Sequence, residues 1–354
     1  MNVVLFEAFP DSYRQSMARY SSCLKSALTP LLVSDESISS FFPPGRVAPK
    51  PARYWAEYIL YPRTARRHTG EVNHIIDHAY GYLTGWIEPQ RTVVTVHDMI
   101  ALKTRRGLIQ RHNLRGISRA AHVICDSEAT RSEFLRLSGY SPKQTHTIHA
   151  GVGEEFFAEP TGDPFEQLGL PKARYLLHLG HVFPYKNIPG LLHVFAQLVR
   201  GNGTDLFLLR AGGAFTREQQ RLAQQLGIAQ RIRHMGYVPS DQLPLLYRCA
   251  ELLLFPSLDE GFGFPVLEAM ACGLPVVASE RGSLPEVAGG AALLADPSHP
   301  TALADQAREL LRDSALRSQL KEAGRKRALQ FPWDSTARKT LEIYRRIYEA
   351  TAAR

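Results

Sequence analysis

The sequence contains few cysteines, and none of them form a motif. Cys23, Cys125, Cys249 and Cys272 are the only four in 354 residues, and no two make a Cys-x-x-Cys pair. This spacing predicts neither a zinc ribbon nor a disulfide framework. The pattern is typical of a cytoplasmic protein.

Long apolar runs and targeting signals are lacking too. No uncharged run reaches the length of about 20 residues that a bilayer-spanning helix needs. The short apolar run VVLF near Met1 has no basic leader before it, so no signal peptide is predicted. These absences again favour the cytoplasm.

Motifs for metal-dependent and hydrolytic chemistry are absent. The sequence has no Asp-x-Asp pair, no Gly-x-Ser-x-Gly elbow and no His-Glu-x-x-His helix. His74 with His78 and His146 with His149 lie on strand-like stretches, where these spacings do not aim both rings at one ion. We interpret them as packing or surface histidines. No metal and no cofactor is predicted.

Positive charge is what the sequence has in excess. Lys and Arg number 42 against 34 Asp and Glu, which gives a formal net charge of +8. Such a balance suits nucleic acid, a membrane surface or an anionic small molecule. Because no Cys/His finger and no base-stacking segment is found, nucleic acid is not a predicted partner.

Short β-branched runs alternate with helical patterns, which predicts an α/β protein of βαβ units, and the length favours two domains. The predicted strands are 2–9, 73–80, 91–99, 121–127 and 145–151 in the first half, and 174–182, 204–213, 232–238, 250–257, 274–280 and 291–296 in the second. Segment 153–173 is the predicted linker, and helical segments 301–330 and 334–350 close the chain. Two facing doubly wound halves predict a ligand cleft between them.

The stretch PSLDEGFGFPVLEAMACGLPVVAS, residues 256–279, places two acids around a glycine-rich turn. Pro265 suits the first turn of a helix that Gly273 ends, and Glu268 is expected in that first turn. Gly261 and Gly263 allow the backbone to approach a phosphate at the helix N-terminus.

An acid on each side of an anion site fits a sugar–diphosphate–nucleoside. A carboxylate can accept hydrogen bonds from two neighbouring hydroxyls, as Glu268 would from a ribose and Glu260 from a second sugar ring. The alternative is a plain strand–loop–helix with a surface glutamate near the helix start.

The same stretch, followed by GSLPEVAGGAALLADP, resembles the donor-site signature of retaining glycosyltransferases of family 4, which have the GT-B fold. TVVTVHDMI, VICDSEATRSEF, IHAGVGEEFF, LLHLGHVFPYKNIPGLLHVFAQL and FPWDSTARKTLEIYRRIY resemble further family elements in the same order. The resemblance implies two Rossmann-like doubly wound domains facing an interdomain cleft. Residues 1–160 form the acceptor-side domain, 172–335 the donor-binding domain, and 336–354 a helix that crosses back.

The resemblance implies roles for single residues as well. Glu268 is expected to hold the ribose hydroxyls and Glu260 hydroxyls of the transferred sugar. Lys186 is expected to stabilise the leaving diphosphate without a metal. His97 is expected to contact the transferred sugar, the alternative being an ordinary strand-end histidine, and Asp98 to orient its loop or cap the next turn. The predicted catalytic residues are His97, Glu260 and Lys186.

Other donor contacts are expected along the same edge. Backbone N–H groups of the turn after Glu260 are predicted to cradle the phosphates, with Pro265 excluded because it has no N–H. The predicted contacts are Gly261, Phe262, Gly263, Phe264, Val266, Leu267, His181, Gly212, Gly236, Tyr237 and Val238, the last three near the base.

The basic loop departs from the family pattern. Relatives often carry an arginine just after the glycine of the strand or just before the lysine, and here those positions hold His181 and Tyr185. The second phosphate-binding cation is therefore open. The candidates are protonated His181, Arg217 and Arg281.

A basic segment lies in the first half. Residues 103–119 hold six Lys and Arg and no acid, and on a helix Arg111, Arg115 and Arg119 form one stripe. With Arg63, Arg66 and Arg67 this stripe is the tentative contact to a lipid-linked acceptor or to an anionic membrane surface at the inner face of the plasma membrane. A solvated basic face is the alternative.

The resemblance, together with the absence of metal motifs, implies a retaining, metal-independent hexosyltransferase of bacterial surface polysaccharide assembly. The expected donor is a nucleotide-sugar, GDP-mannose in preference to a UDP-sugar, and the expected acceptor is a saccharide or lipid-linked saccharide hydroxyl. The alternatives are a UDP-sugar-dependent transferase, a GT-B phosphorylase-like enzyme, and a non-catalytic protein that binds nucleic acid or lipid.

Overall fold

A computed structural model describes residues 1–9, 15–44, 50–103, 107–202 and 205–353. The chain forms two compact units. The first unit is Met1–Gly151 with Pro332–Arg354, and the second unit is Val152–Phe331. The C-terminal segment therefore folds with the N-terminal part of the chain.

The strands of the first unit are β1 (Asn2–Phe6), β2 (Ser37–Phe41), β3 (Val72–Ile75), β4 (Thr92–Val96), β5 (His122–Cys125) and β6 (Thr145–Thr147). Those of the second unit are β7 (Arg174–Leu179), β8 (Leu206–Ala211), β9 (Ile232–Gly236), β10 (Leu252–Phe255), β11 (Val276–Ser279) and β12 (Leu293–Ala295). Both sets pair in parallel. Parallel sheets are covered on both faces, which is why the inner strands β4 and β10 are wholly buried and mostly apolar in sequence.

The helices are α1 (Gln15–Leu28), α2 (Lys50–Trp55), α3 (Tyr61–Ala65), α4 (Gly107–Ile117), α5 (Glu128–Ser138), α6 (Pro164–Gln167), α7 (Ile188–Asn202), α8 (Arg217–Gln225), α9 (Leu243–Arg248), α10 (Phe264–Ala271), α11 (Leu284–Ala288), α12 (Pro300–Arg312), α13 (Ser314–Ala328) and α14 (Trp333–Ala352). A π-helical turn, Ala56–Leu60, joins α2 to α3. None of these described helices is long and apolar enough to cross a membrane.

Each sheet has a point at which the strand order reverses. The order is β2-β1-β3-β4-β5-β6 in the first unit and β12-β11-β10-β7-β8-β9 in the second. The second order is that of the Rossmann fold, and its reversal lies between β7 and β10. Ligands of such sheets bind at the carboxyl ends of the strands beside this reversal.

The closing helix α14 packs within the first unit. The Tyr344 hydroxyl lies 2.5 Å from His74 Nδ1, and the Thr336 hydroxyl donates to the carbonyl of His149 at 2.7 Å. A side chain at Gly151 would place Cβ 2.6 Å from the Trp333 ring, so glycine is needed where helix and chain meet.

The predicted strands are all present, though shorter than predicted. The edge strand β2 was missed because its sequence, SISSF, is mostly polar and none of it is fully buried. The predicted helix at 301–330 is two helices. Asp313 stands between them, and its Oδ1 accepts a hydrogen bond from the Leu316 N–H at 2.9 Å to begin α13.

The predicted linker at 153–173 is part of the second unit rather than a connector. Phe156 is 3% exposed and packs edge-on against Tyr247, and Arg248 Nη2 donates to its carbonyl at 3.0 Å. The segment also contains α6, which Asp163 caps. Its proline and glycine content indicated a break that these contacts overrule, so the division lies after Gly151.

Candidate functional site

Two loops of the second unit meet at the reversal of its sheet. One follows β7 and contains the 3-10 turn Pro184–Lys186, and the other follows β10 and leads into α10. The Leu258 N–H donates to the carbonyl of Tyr185 at 2.7 Å, and Asn187 Nδ2 donates to the carbonyl of Pro256 at 3.0 Å. These bonds fix the two loops against each other at the position where a Rossmann sheet binds its ligand.

A buried ion pair joins the same two loops. Lys186 Nζ lies 2.6 Å from Glu260 Oε1, and the two side chains are 13% and 9% exposed. The ammonium also lies 5.1 Å from the ring centre of Phe255. Two predicted catalytic residues, 74 positions apart in sequence, are thus brought into direct contact.

The backbone of Glu260 is held by a turn that sequence reasoning did not single out. The Ser283 hydroxyl lies 3.1 Å from the carbonyl oxygen of Glu260 and 2.7 Å from that of Phe262. Gly282 has φ 62°, and a Cβ there would lie 2.5 Å from the Glu260 carbonyl oxygen. The Gly-Ser pair in GSLPEV was the available signal.

Glu268 is a buried acid with a specific donor. It is 4% exposed, and its Oε2 accepts a hydrogen bond from the hydroxyl of Tyr247 in α9 at 2.7 Å. It is the fifth residue of α10, so the expectation of a first-turn position is wrong. Tyr247, which is fully buried, was not predicted because nothing local connects it to Glu268.

The start of α10 differs from the predicted phosphate cradle. The Val266 and Leu267 N–H groups point to the Gly263 carbonyl, at 3.0 and 3.2 Å. These bonds lie within the first helical turn, and the expected binding of phosphate by the turn after Glu260 stays a prediction. The side chains of both residues lie in the core, as does that of Phe262, while Gly261 is buried and Phe264 is half-buried.

Two glycines with positive φ flank α10. Gly263 precedes the helix with φ 101°, and a Cβ there would lie 2.7 Å from Leu284 Cδ2. Gly273 follows the helix with φ 70°, as predicted for a C-terminal stop.

Three neighbouring strands end in glycines with positive φ. Gly180 follows β7, Gly212 follows β8 and Gly236 ends β9, with φ of 139°, 113° and 68°. The Gly180 N–H donates to Ala211 O at 3.0 Å, and the Gly212 N–H donates to Gly236 O at 2.7 Å. The ladder therefore extends beyond the strands, and the predicted contacts Gly212 and Gly236 lie on this edge.

Aromatic side chains lie near the three glycines Gly180, Gly212 and Gly236, which we call the glycine edge. His181 Nε2 lies 3.1 Å from the Tyr237 hydroxyl, and the His181 ring centre is 4.9 Å from that of Phe183. Phe183 and Tyr237 are 38% and 43% exposed, while the adjacent Val238 is half-buried. The predicted base-side residues are thus at one surface.

Two arginines proposed as a second cation lie at the surface of the second unit. Arg281 Nη2 lies 2.9 Å from Asp296 Oδ2 and is 51% exposed, so its charge is already balanced at the surface. Arg217 begins α8 and is exposed.

His97 lies in the first unit at the end of β4 and is 4% exposed. Its Nδ1 is 2.9 Å from Asp126 Oδ2, and its Nε2 is 2.8 Å from Ile76 O. Burial opposes the charged ring, but the Asp126 hydrogen bond and charge outweigh burial and raise the pKa of His97. Burial raises the pKa of Asp126 to about 6. A sugar contact by His97 stays a prediction, and it requires exchange of one of these bonds.

Other histidines of the first unit have packing partners. His74 is buried between the Tyr344 and Thr95 hydroxyls, and His122 Nδ1 is 2.9 Å from His146 Nε2. Asp98 Oδ1 accepts from the Ile100 N–H at 2.9 Å, so it begins a 3-10 turn as predicted. Within the described part of the chain, no three His, Cys, Asp or Glu side chains are grouped to hold a metal ion.

The predicted basic contacts are all at the surface of the first unit. Their side chains are exposed: Arg63, Arg66, Arg67, Arg111, Arg115 and Arg119. Two tryptophans nearby in the chain are exposed as well, Trp55 at 56% and Trp86 at 41%. The Arg63 guanidinium lies 5.8 Å from the centre of the Trp86 ring.

Comparison with known proteins identifies the family. A model described as Glycosyltransferase Family 4 matches residues 29–156, and one described as Glycosyl transferases group 1 matches residues 163–327. The O-antigen chain mannosyltransferase B of Escherichia coli is 32% identical over 269 residues, which are 72% of this chain and 70% of that protein. This chain belongs to glycosyltransferase family 4. The resemblance seen in the sequence is confirmed.

Solved structures show the fold of this family 4 glycosyltransferase. Sucrose-phosphate synthase from Thermosynechococcus elongatus has a TM-score of 0.81 at 22% identity, covering 99% of this chain and 100% of its own. Anabaena HepE in complex with UDP and glucose has a TM-score of 0.77 at 19% identity, covering 97% and 99%. The predicted GT-B architecture of two Rossmann-like α/β domains is confirmed. Some relatives are much longer, and the chain spans about a third of the Escherichia coli serotype-specific mannosyltransferase WbdA.

Proposed function

We propose that this glycosyltransferase is a retaining hexosyltransferase that uses a nucleotide-sugar without a metal ion and serves bacterial surface polysaccharide assembly. The observation that carries the proposal is the Lys186–Glu260 pair at the reversal of the Rossmann sheet. GDP-mannose is the proposed donor, because the relative at 32% identity is named a mannosyltransferase. A UDP-sugar is the second candidate, because the HepE complex contains UDP.

The ion pair suggests how the donor is received. Without a ligand, Glu260 neutralises Lys186. An arriving diphosphate gives the ammonium a second anionic partner, and Glu260 is then available to accept hydrogen bonds from sugar hydroxyls. The lysine charge stabilises the diphosphate as it leaves, which is the main catalytic contribution proposed for this chain.

The reaction itself needs no enzyme nucleophile in this proposal. The acceptor oxygen bonds to the anomeric carbon on the face from which the diphosphate departs, and the hydroxyl proton passes to the departing phosphate oxygen. The bond between the anomeric carbon and the phosphate oxygen breaks as the new bond forms. Because both bonds lie on the same face of the sugar, the anomeric configuration is retained. The chain then has to position the two substrates and balance charge.

The donor test is calorimetric titration with GDP and with UDP in EDTA. Glu268→Gln removes the charge of the proposed ribose acceptor, and we expect at least tenfold weaker binding of the preferred nucleotide. Glu251→Gln is the matched control, since Glu251 is half-buried and bonded to Arg174 at 2.6 Å immediately before β10, at the opposite end of that strand. Loss of binding in EDTA, or equal binding by wild type and Glu268→Gln, contradicts the proposed site.

The reaction test is turnover of GDP-mannose with a saccharide or lipid-linked acceptor, with the anomeric configuration of the product read by NMR. Retention in EDTA supports the proposal. An inverted product contradicts the retaining mechanism, and turnover with phosphate alone, without a nucleotide-sugar, indicates a phosphorylase.

We also propose that the first unit binds an anionic membrane surface near its acceptor. Exposed Trp86 lies beside Arg63, Trp55 is exposed in the same unit, and such rings favour the lipid–water interface. The test is cosedimentation with vesicles that contain anionic lipid. We expect binding that weakens with salt and with Trp55→Ser, and equal binding to neutral vesicles contradicts the proposal.

A further inference from the structure

Arg210 is a buried arginine with no acidic partner among the described residues. It lies on β8 with 0% of its surface exposed, and its Nη1 donates to the carbonyl oxygen of Ala211. Its Nε and Nη2 find no hydrogen-bond partner among the described residues. The ring of Phe215, 5.7 Å from the guanidinium carbon, is a cation–π partner. A buried charge left in this state is costly, so its presence calls for a reason.

Neither neighbour of Arg210 in the ladder, His178 on β7 or His234 on β9, supplies negative charge. His178 on β7 pairs with Arg210 in the ladder and is fully buried. Burial, and then the charges of Arg210 and Lys186, hold the pKa of His178 well below its usual range. Burial lowers the pKa of Arg210 only to about 10. At neutral pH the pair is therefore a neutral imidazole beside a guanidinium.

The Arg210 guanidinium lies in contact with the glycine edge, next to Gly212. A Cβ built on Gly212 would lie 3.0 Å from Arg210 Nη1 and 2.1 Å from the Gly180 carbonyl oxygen. A Cβ on Gly180 would lie 3.5 Å from Lys186 Cε. Because they lack side chains, Gly180 and Gly212 allow the loop of Lys186 and the end of β8 to lie close together. The Arg210 guanidinium lies next to Gly212.

The charges at this edge do not balance in the donor-free chain. Lys186 is paired with Glu260, and Arg281 is paired with Asp296. No described acidic side chain pairs with Arg210. A ligand that carries two negative charges close together would balance both Arg210 and the lysine that Glu260 releases.

We propose that Arg210 is the second cation of the donor site and stabilises the diphosphate from its buried position beside Gly180 and Gly212. This rests on the proposed function. Arg210 acts as a positioning residue through its field, which is strong because the low-dielectric interior screens it little. Arg210 would fill the role of the second phosphate-binding cation, which the sequence left open.

The test uses inorganic pyrophosphate, which measures the diphosphate site without the base. Arg210→Met keeps the volume of the side chain and removes its charge, and Arg210→Lys keeps a charge. Arg233→Met is the matched control, because Arg233 lies on β9 with its guanidinium 5.0 Å from the Phe207 ring and is exposed. Calorimetry gives the affinities, and differential scanning calorimetry gives the unfolding midpoint without ligand.

We expect Arg210→Met to weaken pyrophosphate binding at least tenfold while the ligand-free midpoint stays equal or rises, because an unbalanced buried charge has been removed. Arg210→Lys should bind within about threefold to fivefold of wild type, and Arg233→Met should match it. A merely structural arginine would instead lower the midpoint and leave pyrophosphate affinity unchanged in the folded protein.

The outcomes separate this proposal from the proposed function. Wild-type affinity for pyrophosphate in Arg210→Met overturns the role of Arg210 and leaves the donor proposal standing. If Arg210→Met does not fold, Arg210→Lys decides, since a charge-dependent role requires its affinity to fall as pH rises towards the pKa of the buried lysine, and a flat profile overturns it. Failure of wild type to bind GDP, UDP and pyrophosphate overturns both proposals.

Discussion

Replacing Lys186 by methionine leaves the Glu260 carboxylate buried without its cation. At 2.6 Å and an effective dielectric constant of 20, the gross attraction between the two charges is about 6 kcal/mol. Desolvation offsets much of this, and breaking a fully buried pair costs about 3–5 kcal/mol. Because these side chains keep 13% and 9% exposure, we expect the lower end, about 3 kcal/mol, for Lys186→Met.

The double variant isolates the interaction between the two side chains. In Lys186→Met with Glu260→Gln both charges of the pair are removed together, so we expect a free energy of unfolding within about 1 kcal/mol of that of wild type. Glu260→Gln completes the cycle, and because that variant also leaves Lys186 without its partner, the coupling energy is expected to be at least about 2 kcal/mol. Arg174 with Glu251 is the comparison pair, because at 41% and 29% exposure its coupling should be only about 0.2–1 kcal/mol.

The assay has to read the second unit alone. All three tryptophans, Trp55, Trp86 and Trp333, lie in the first unit, so their fluorescence reports on that unit only. Hydrogen exchange of peptides from β10 and α10 in urea reports on the second, with the fluorescence transition as an internal reference. A coupling energy below about 0.5 kcal/mol would refute the reasoning, since the pair would then be no stronger than an exposed one.

Two further predictions concern a turn and a titrating pair. Gly282→Ala should weaken nucleotide binding, because its Cβ would press on the Glu260 backbone, and it should lower the free energy of unfolding of the second unit by more than the roughly 1–2 kcal/mol that a positive φ costs alanine. Gly227→Ala is the control, since Gly227 has φ 71° and no atom within 4 Å of a Cβ built there. It should show only the cost of the positive φ and bind nucleotide as wild type does. The raised pKa of His97 means that the folded first unit holds a proton which the unfolded chain releases, so its stability should fall as pH rises from about 6.5 through the folded pKa. Asp126→Asn should remove this slope in tryptophan-fluorescence unfolding curves, and an unchanged slope would show that the pair does not hold the proton.

The fold was largely readable from the sequence because buried parallel strands are apolar runs and helices alternate with them. The elements that escaped lack that signal. β2 is polar at a sheet edge, and the segment around Phe156 has a loop composition although it packs against Tyr247. Local composition and periodicity do not reveal these elements, because contacts with residues distant in sequence determine their structure.

The site was predictable residue by residue only as far as the family motif reaches. Glu260, Glu268 and Lys186 could be named, yet the bond between Lys186 and Glu260 spans 74 positions, and Tyr247 reaches Glu268 from another helix. The N–H of Val266 was assigned to phosphate because a helix start has free donors in general. In this short helix the first turn already uses that group.

The partners of the two acids explain how acids can lie beside the proposed anion site in a basic chain. Glu260 holds Lys186 within 2.6 Å, and Tyr247 holds Glu268 at 2.7 Å. Each carboxylate is thus fixed in place by a donor before any ligand arrives, so little side-chain entropy remains to be lost on binding. In the proposed reaction the diphosphate replaces Glu260 as the partner of Lys186, and the Glu260 carboxylate then accepts hydrogen bonds from the sugar hydroxyls. A lysine without Glu260 would bind phosphate more readily but would bind any phosphate, and coupling the two exchanges makes full binding depend on a ligand that brings both a diphosphate and a hydroxylated ring.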